Sequence, residues 1–198
     1  DETGTEETIR QMRLLKSTGN TVGVVGGFGI GAPAAAQILE MLIAYGVKEF
    51  LSIGLAGSLQ PDLNIGDYVI CDRAIRDEGT SYHYAPPAKY ATASEAMTNR
   101  LIAAAERQGV AYRVGASWTT DAAYRETRSE VAHYQQEGVA TVEMEASAMF
   151  AIAAYHGVEM GAIFAISDTL TETEWRHAFG TDPIAVALET IYAISLDC

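Results

Sequence analysis

The chain is short of positive charge: 13 Lys and Arg stand against 26 Asp and Glu in 198 residues, a net charge of −13. That balance repels phosphate backbones and anionic lipid surfaces, which excludes nucleic acid and membranes as partners. An anionic substrate would need a positive site built locally. Cysteine is scarce too, and Cys71 and Cys198 stand far apart with neither metal spacing nor a disulfide framework, as suits a reducing cytoplasm. No segment approaches the roughly eighteen continuous apolar residues of a membrane span. The first ten residues carry four acidic groups instead of a signal peptide's basic start, and the chain begins at Asp1 without a Met, so it reads as processed or as a fragment. Repeats, low-complexity tracts and linkers are absent. The four histidines, His83, His133, His156 and His177, show no spacing that would complete a metal site with carboxylates.

What is present is an ordinary globular composition, 48% hydrophobic and 20% charged, enough for one domain with a substantial core. Alternating strand and helix patterns run through it. Residues 6–16 are expected to form a short helix. The run Thr21-Val22-Gly23-Val24-Val25 reads as a strand entering Gly26-Gly27-Phe28-Gly29-Ile30-Gly31, and a helix follows from Pro33 to Tyr45. The next strand, Glu49-Phe50-Leu51-Ser52-Ile53, leads into Gly54-Leu55-Ala56-Gly57-Ser58 and is expected to pair parallel with the first. A turn at Gly66-Asp67 opens a strand from Tyr68, and a long polar and aromatic loop spans residues 76–87. Helices are expected at 94–108, 126–136, 144–156 and 183–196, with strands at 111–118 and 159–167. Such alternation predicts one α/β domain over residues 1–198, a three-layer α/β/α arrangement around a mixed, largely parallel sheet.

The acidic residues near two strand ends carry the chemistry. Residues 139–145 read as apolar and extended, a conformation in which Glu143 and Glu145 share a face beside Met144. Asp168 closes the apolar run of residues 161–166, and the carboxyl end of a buried strand is where open α/β sheets hold ligands. The competing reading is structural: a capping aspartate and two solvated glutamates. The glycines at 27, 29 and 31 miss the G-x-G-x-x-G spacing of dinucleotide folds.

Six segments in order, Gly29-Ile30-Gly31-Ala32-Pro33, Ile53-Gly54-Leu55-Ala56-Gly57, Asn64-Ile65-Gly66-Asp67, Thr120-Asp121-Ala122-Ala123-Tyr124, Val142-Glu143-Met144-Glu145-Ala146 and Ile166-Ser167-Asp168, resemble the nucleoside phosphorylase and nucleosidase superfamily over roughly residues 21 to 170. The 76–86 segment is most similar to its uridine phosphorylase side, and Ser167-Asp168 to its purine-handling and hydrolase branches. The resemblance implies a pentosyltransferase that cleaves an N-glycosidic bond with phosphate as co-substrate and no cofactor or metal, with a purine slightly favoured. Nucleoside and phosphate are the implied partners, the compartment is the cytoplasm, and the assembly is a homo-oligomer. Asp168 would protonate the leaving base; Glu143, Met144 and Glu145 would hold the ribose; Thr119, Thr120, Tyr124 and Ser167 would line the base; Gly29, Ser52, Leu55 and Ala56 would form a weak phosphate site.

Three departures bear on this. Ser52 and Leu55 replace the arginine and the hydroxyl residue that such proteins use for phosphate, and Ala123 replaces an aromatic that stacks on the base. The family's opening strand, its Gly-Asp loop with a further phosphate arginine, and the hydrolase branch's water-activating glutamate are also absent. Arg76, Arg125, Arg128, Arg176, His83 and His177 are candidate replacements for the lost positive charge, and Tyr82, Tyr84, Trp118 or Tyr124 for the lost stacking surface. The same departures keep open a nucleosidase that uses water and a catalytically silent nucleoside-binding relative.

Overall fold

The computed structural model describes residues 12–170 and 175–198. Nine strands and five α-helices alternate along them: β1 (Arg13–Leu14), β2 (Gly23–Val24), α1 (Ala32–Ala44), β3 (Glu49–Ser58), β4 (Tyr68–Asp77), β5 (Tyr90–Thr92), α2 (Glu95–Arg107), β6 (Arg113–Thr120), α3 (Arg128–Gln136), β7 (Thr141–Glu143), α4 (Ala146–His156), β8 (Glu159–Leu170), β9 (Trp175–His177) and α5 (Asp182–Asp197). Seven strands form the main sheet in the order β5-β4-β6-β7-β3-β8-β9. Its longest ladders, β3 with β8 and β4 with β6, are parallel, while β3 with β7 and both edge pairings are antiparallel.

Alternation along β8 sets the layers. Met160, Ala162 and Phe164 pack with α1 and α4, whereas Ile163 and Ala165 pack with α2 and α5 on the other face. A strand covered on both sides has no polar face, which is why residues 160–166 read as a continuous apolar run. Each fully buried Ile or Phe of this kind contributes about 1.5–3 kcal/mol through its removal from water. Helix α4 is buried along residues 146–153, and its sequence is accordingly apolar around its whole circumference.

Two sequence expectations change, and one further pairing adds to the sheet. Residues 6–11 of the first expected helix lie outside the described residues, and the remainder enters β1 and a short 3-10 turn, Lys16–Thr18. The strand expected at 21–25 shortens to Gly23–Val24 and pairs antiparallel with β1 in a separate two-stranded ribbon, so it does not flank β3. A five-residue apolar run looks the same in an edge ribbon as in a core strand, and here β7 and β8 take both edges of β3. Finally, β4 also pairs antiparallel with β8, which closes β4, β6, β7, β3 and β8 into a ring within the three layers.

Candidate active site

The site lies where that ring brings β7, β3 and β8 abreast. Val142 of β7 stands opposite Gly57 of β3, and Gly57 stands opposite Asp168 of β8. Two inter-strand steps therefore separate the Val142 and Asp168 backbones, roughly 10 Å. The strand that carries Glu143 runs antiparallel to β3 and β8, so the two acidic strands meet head to tail and do not share one carboxyl-terminal edge.

Gly57 is required at the middle of this row. A Cβ there would stand 3.0 Å from Asp168 Oδ2, 2.8 Å from Leu170 Cδ1 and 3.1 Å from Val142 Cγ1. The register between β3 and β8 also shifts between Ala56 and Gly57, which leaves Ser167 without a partner on β3. That irregularity aims its hydroxyl sideways, so Ser167 Oγ donates to Asp168 Oδ1 at 2.7 Å. The other carboxylate oxygen, Oδ2, accepts from the Trp175 indole Nε1 at 2.8 Å. Asp168 is 7% exposed and held on both sides by neutral donors.

The two glutamates separate in role. β7 ends at Glu143, and Met144 and Glu145 turn into α4, so the shared face expected of an extended segment does not form. Glu143 points inward. Its Oε2 accepts the backbone N–H groups of Glu145 (2.8 Å) and Ala146 (2.7 Å), and its Oε1 accepts the hydroxyls of Thr119 (2.5 Å) and Ser117 (3.2 Å). Burial pushes this carboxyl up to about 7, against the opposing pull of Thr119 and the two N–H groups. Glu145 instead reaches across to the glycine loop, where the Gly31 N–H donates to its Oε1 at 2.6 Å. Gly31 is the N-cap of α1 with φ 97°, a left-handed conformation that only glycine adopts readily. Each glutamate thus serves a helix N-terminus, where a carboxylate is electrostatically favoured. The solvated pair of the structural reading is not what forms.

A buried chain of bonds ties the long loop to this centre. Ser147 N donates to Thr119 Oγ1 (3.0 Å), and Ser147 Oγ donates to Glu78 Oε1 (2.9 Å). Glu78 in turn accepts from the N–H groups of Thr80 and Ser81. Arg76, 4% exposed, donates to Ser81 Oγ, Pro86 O and Ala85 O and lies 4.5 Å from the Tyr82 ring centroid. The phosphate role considered for Arg76 gives way to that of a loop staple.

The remaining candidates divide. Thr119 is spent on Glu143 and Ser147, and Thr120 Oγ1 accepts the Ala122 N–H at 3.1 Å. Tyr124 is fully exposed, and Trp118 is buried against Tyr134 with its indole donating to Asp77. Leu55 packs into the core beneath α2 and α5. Ser52 lies opposite Ala162, roughly 17 Å up β3 from Gly57 at about 3.3 Å per residue, and is not brought to the row. Gly29, with φ 104°, belongs to the loop that Gly31 ties to Glu145, and Ala56 adjoins Gly57. Arg125, Arg128, Arg176, His83 and His177 are all exposed.

Two residues of the site escaped the sequence reading. Trp175 follows an acidic stretch and carries no motif, and Glu126 lies in an ordinary helix lead-in. Burial and the neighbouring Asp168 push the Glu126 carboxyl up to about 7, with Glu130 adding to the effect.

An α/β/α ring that gathers a buried, doubly anchored aspartate and a glutamate beside a glycine loop is an arrangement suited to proton transfer and diol recognition. The chain belongs to the phosphorylase superfamily, whose family model matches residues 2–197. It is 33% identical over 190 residues to uridine phosphorylase of Thermococcus kodakarensis, covering 88% of this chain and 69% of that protein. A guanosine phosphorylase of Halorubrum lacusprofundi is 33% identical over 156 residues, 79% of this chain and 65% of the relative. A DeoD-type purine nucleoside phosphorylase of Caldanaerobacter subterraneus is 34% identical over 177 residues, 83% and 74% respectively. The chain thus spans about two thirds to three quarters of these relatives' length. Among the described residues no helix is long and apolar enough to cross a membrane.

Proposed function

We propose that the chain is a pentosyltransferase that cleaves the N-glycosidic bond of a nucleoside with phosphate. The observation that carries this reading is the row Val142, Gly57, Asp168, which sets a buried carboxyl group roughly 10 Å from the strand leading to Glu145. Bond cleavage leaves positive charge on the sugar and negative charge on the base. Asp168 answers the second by giving a proton to the departing base, and Glu145 answers the first by accepting bonds from the ribose hydroxyls, since one of its oxygens takes the Gly31 N–H and the other remains for the diol. Met144, half-buried between the two glutamates, packs on the sugar. Phosphate meets the Gly29 to Gly31 loop and the backbone near Ala56.

A purine is slightly favoured, because Ser167-Asp168 is similar to the corresponding pair of the family's purine-handling branch. Relatives named for uridine, guanosine and purine nucleosides make the base the first thing to assay. The placement of Ser52 and the packing of Leu55 favour the nucleosidase as the second reading, because neither supplies a phosphate ligand. Incubating inosine, guanosine and uridine with and without phosphate separates the two: ribose 1-phosphate formed only with phosphate supports phosphorolysis, and free ribose formed without it supports hydrolysis.

The assembly we propose is a homo-oligomer, most simply a C2 dimer, working in the cytoplasm, where the free Cys71 and Cys198 remain reduced. Its interface should exceed roughly 1,000 Å², and salt should tighten it by screening the net charge of −13 per chain. Sedimentation at micromolar concentration and moderate salt tests this, and a species of only 21.2 kDa overturns it.

A further inference from the structure

Ala123 leaves the base without its usual stacking partner, and the four aromatics considered as replacements do not supply one. Trp118 is buried, with its indole donating to Asp77. Tyr82 lies under the Arg76 guanidinium with its hydroxyl on Arg76 O, and Tyr84 packs edge-on against Tyr155. Tyr124 is fully exposed, so no wall of the site is built from it. Strand β9 carries other rings. It pairs antiparallel with β8 so that His177 stands opposite Asp168 and Trp175 opposite Leu170, and just beyond it the Ala178 N–H donates to Ser167 O at 3.0 Å. Opposed residues of a ladder share a face and the face recurs at every second residue, so Trp175 and His177 project on the side of Asp168.

The Trp175 Nε1–H donates to Asp168 Oδ2 at 2.8 Å, which sets the edge of the indole against the acid, yet Trp175 is 57% exposed. The His177 ring lies against the indole with centroids 4.7 Å apart, and Phe179, itself exposed, stacks on His177 at 5.4 Å. An open strip of rings that begins at a buried carboxyl group suits a flat ligand with a polar edge. We propose that Trp175 binds the base: its ring stacks on the planar heterocycle of the nucleoside, while its N–H positions Asp168 toward the leaving nitrogen. The inference rests on the reading of the chain as a nucleoside-cleaving enzyme, and it assigns to β9 the stacking surface that Ala123 does not provide.

An indole N–H donates and cannot accept, so it fixes the plane of the Asp168 carboxyl without taking up the proton that passes to the base. Ser167 holds the other oxygen at 2.7 Å, so the carboxyl is gripped from both sides. Stacking fixes the plane of the base in turn, and the indole carries both contacts on one rigid ring. A single side chain therefore sets the proton donor and the leaving group relative to each other. Every nucleobase has a π face, so this surface accepts purines and pyrimidines alike, and Trp175 governs affinity for the base more than the choice between bases.

Two variants separate the ring from its N–H. Trp175→Phe keeps a stacking ring and loses the donor, so kcat for inosine should fall about tenfold with KM close to wild type. Trp175→Ala loses both, so the same fall in kcat should come with a KM raised about tenfold. Wild-type kcat in Trp175→Phe overturns the positioning role, and wild-type KM in Trp175→Ala overturns the stacking role. A second measurement needs no turnover. The chain has two tryptophans, and Trp118 is buried, so hypoxanthine or uracil added to the wild type should quench indole fluorescence saturably through Trp175. In Trp175→Phe that quenching should vanish, and quenching that persists there refutes the contact. Saturable quenching in a wild type that cleaves no nucleoside, with or without phosphate, refutes the enzymatic reading and leaves the base site standing. Cleavage unaffected by either variant does the reverse.

Discussion

The Gly31 N–H donates to Glu145 Oε1 at 2.6 Å across 114 residues of sequence, joining the glycine loop to the start of α4. One carboxylate oxygen therefore holds the loop, and in the proposed reading the other is left for the ribose. Glu145→Ala removes both functions and Glu145→Gln keeps an acceptor for Gly31, so the pair separates loop anchoring from diol binding. With charge-assisted bonds contributing roughly 1.5–3 kcal/mol each, kcat/KM for ribonucleosides should fall at least about tenfold in Glu145→Ala. The loss should be smaller for 2′-deoxynucleosides. Equal losses for both sugars would remove Glu145 from ribose recognition.

Asp168→Asn keeps the shape of the side chain and removes its proton, and turnover should drop by about 10²- to 10⁴-fold with the fold intact. Gly57→Ala approaches the same group by another route. Its new methyl would stand 3.0 Å from Asp168 Oδ2 and 2.8 Å from Leu170 Cδ1, so Leu170 must move and the carboxylate must give by a few tenths of an ångström against its bonds to Ser167 and Trp175. Overpacking of this sort costs about 1–3 kcal/mol of stability. Activity in Gly57→Ala should fall more steeply than that loss explains. Full activity with the thermal midpoint lowered would show that the position of Asp168 tolerates the shift.

Local pattern made much of this legible. Helix α4 and strand β8 announce themselves by uninterrupted apolar runs, and Pro33 and Gly46 bracket α1 as helix punctuation should. What pattern does not carry is which elements meet. The β4 to β8 pairing that closes the ring joins residues 68–71 to 162–165, and nothing local to either segment encodes it. The same limit hid the Trp175 bond to Asp168 and the neighbourhood of Glu126, since each arises only when distant segments pack. Glu143 and Glu145 failed to share a face for a different reason: the strand stops at Glu143, whose carboxylate gathers the N–H groups of Glu145 and Ala146, so Met144 and Glu145 already turn into the helix that starts at Ala146.

Arg76 holds the loop after β4 through three acceptors while Glu78 anchors the same loop to Ser147. Arg76→Lys keeps the charge and loses the fork that reaches Ser81, Ala85 and Pro86 together. Stability should fall by about 1–3 kcal/mol, because the buried Ser81 hydroxyl and the part-buried Ala85 and Pro86 carbonyls cannot all keep their donor. Limited proteolysis should then cut first within residues 79–88. A variant as resistant as wild type would mean that Glu78 suffices to hold the loop.

Glu143 should leave a signature in the pH dependence of stability. Its folded-state carboxyl is raised from 4.5 to about 7, so between those values the folded protein binds more protons than the unfolded chain. Stability on this account is full below about 4.5 and declines as pH rises through 7, the reverse of a salt-bridged carboxylate. Glu126, raised to about 7 as well, adds a decline of the same sign over the same window. Glu143→Gln is accommodated by the bonding: its carbonyl oxygen accepts the Glu145 and Ala146 N–H groups, and its amide donates to the Ser117 and Thr119 hydroxyls, which turn to accept. The variant should fold, and its share of the decline, at most roughly 3 kcal/mol between pH 5 and 7.5, should vanish. Urea midpoints of wild type and Glu143→Gln at those two pH values provide the measurement. A difference between the proteins that stays the same at both pH values would mean that Glu143 is ionised throughout and that its four hydrogen bonds outweigh its burial.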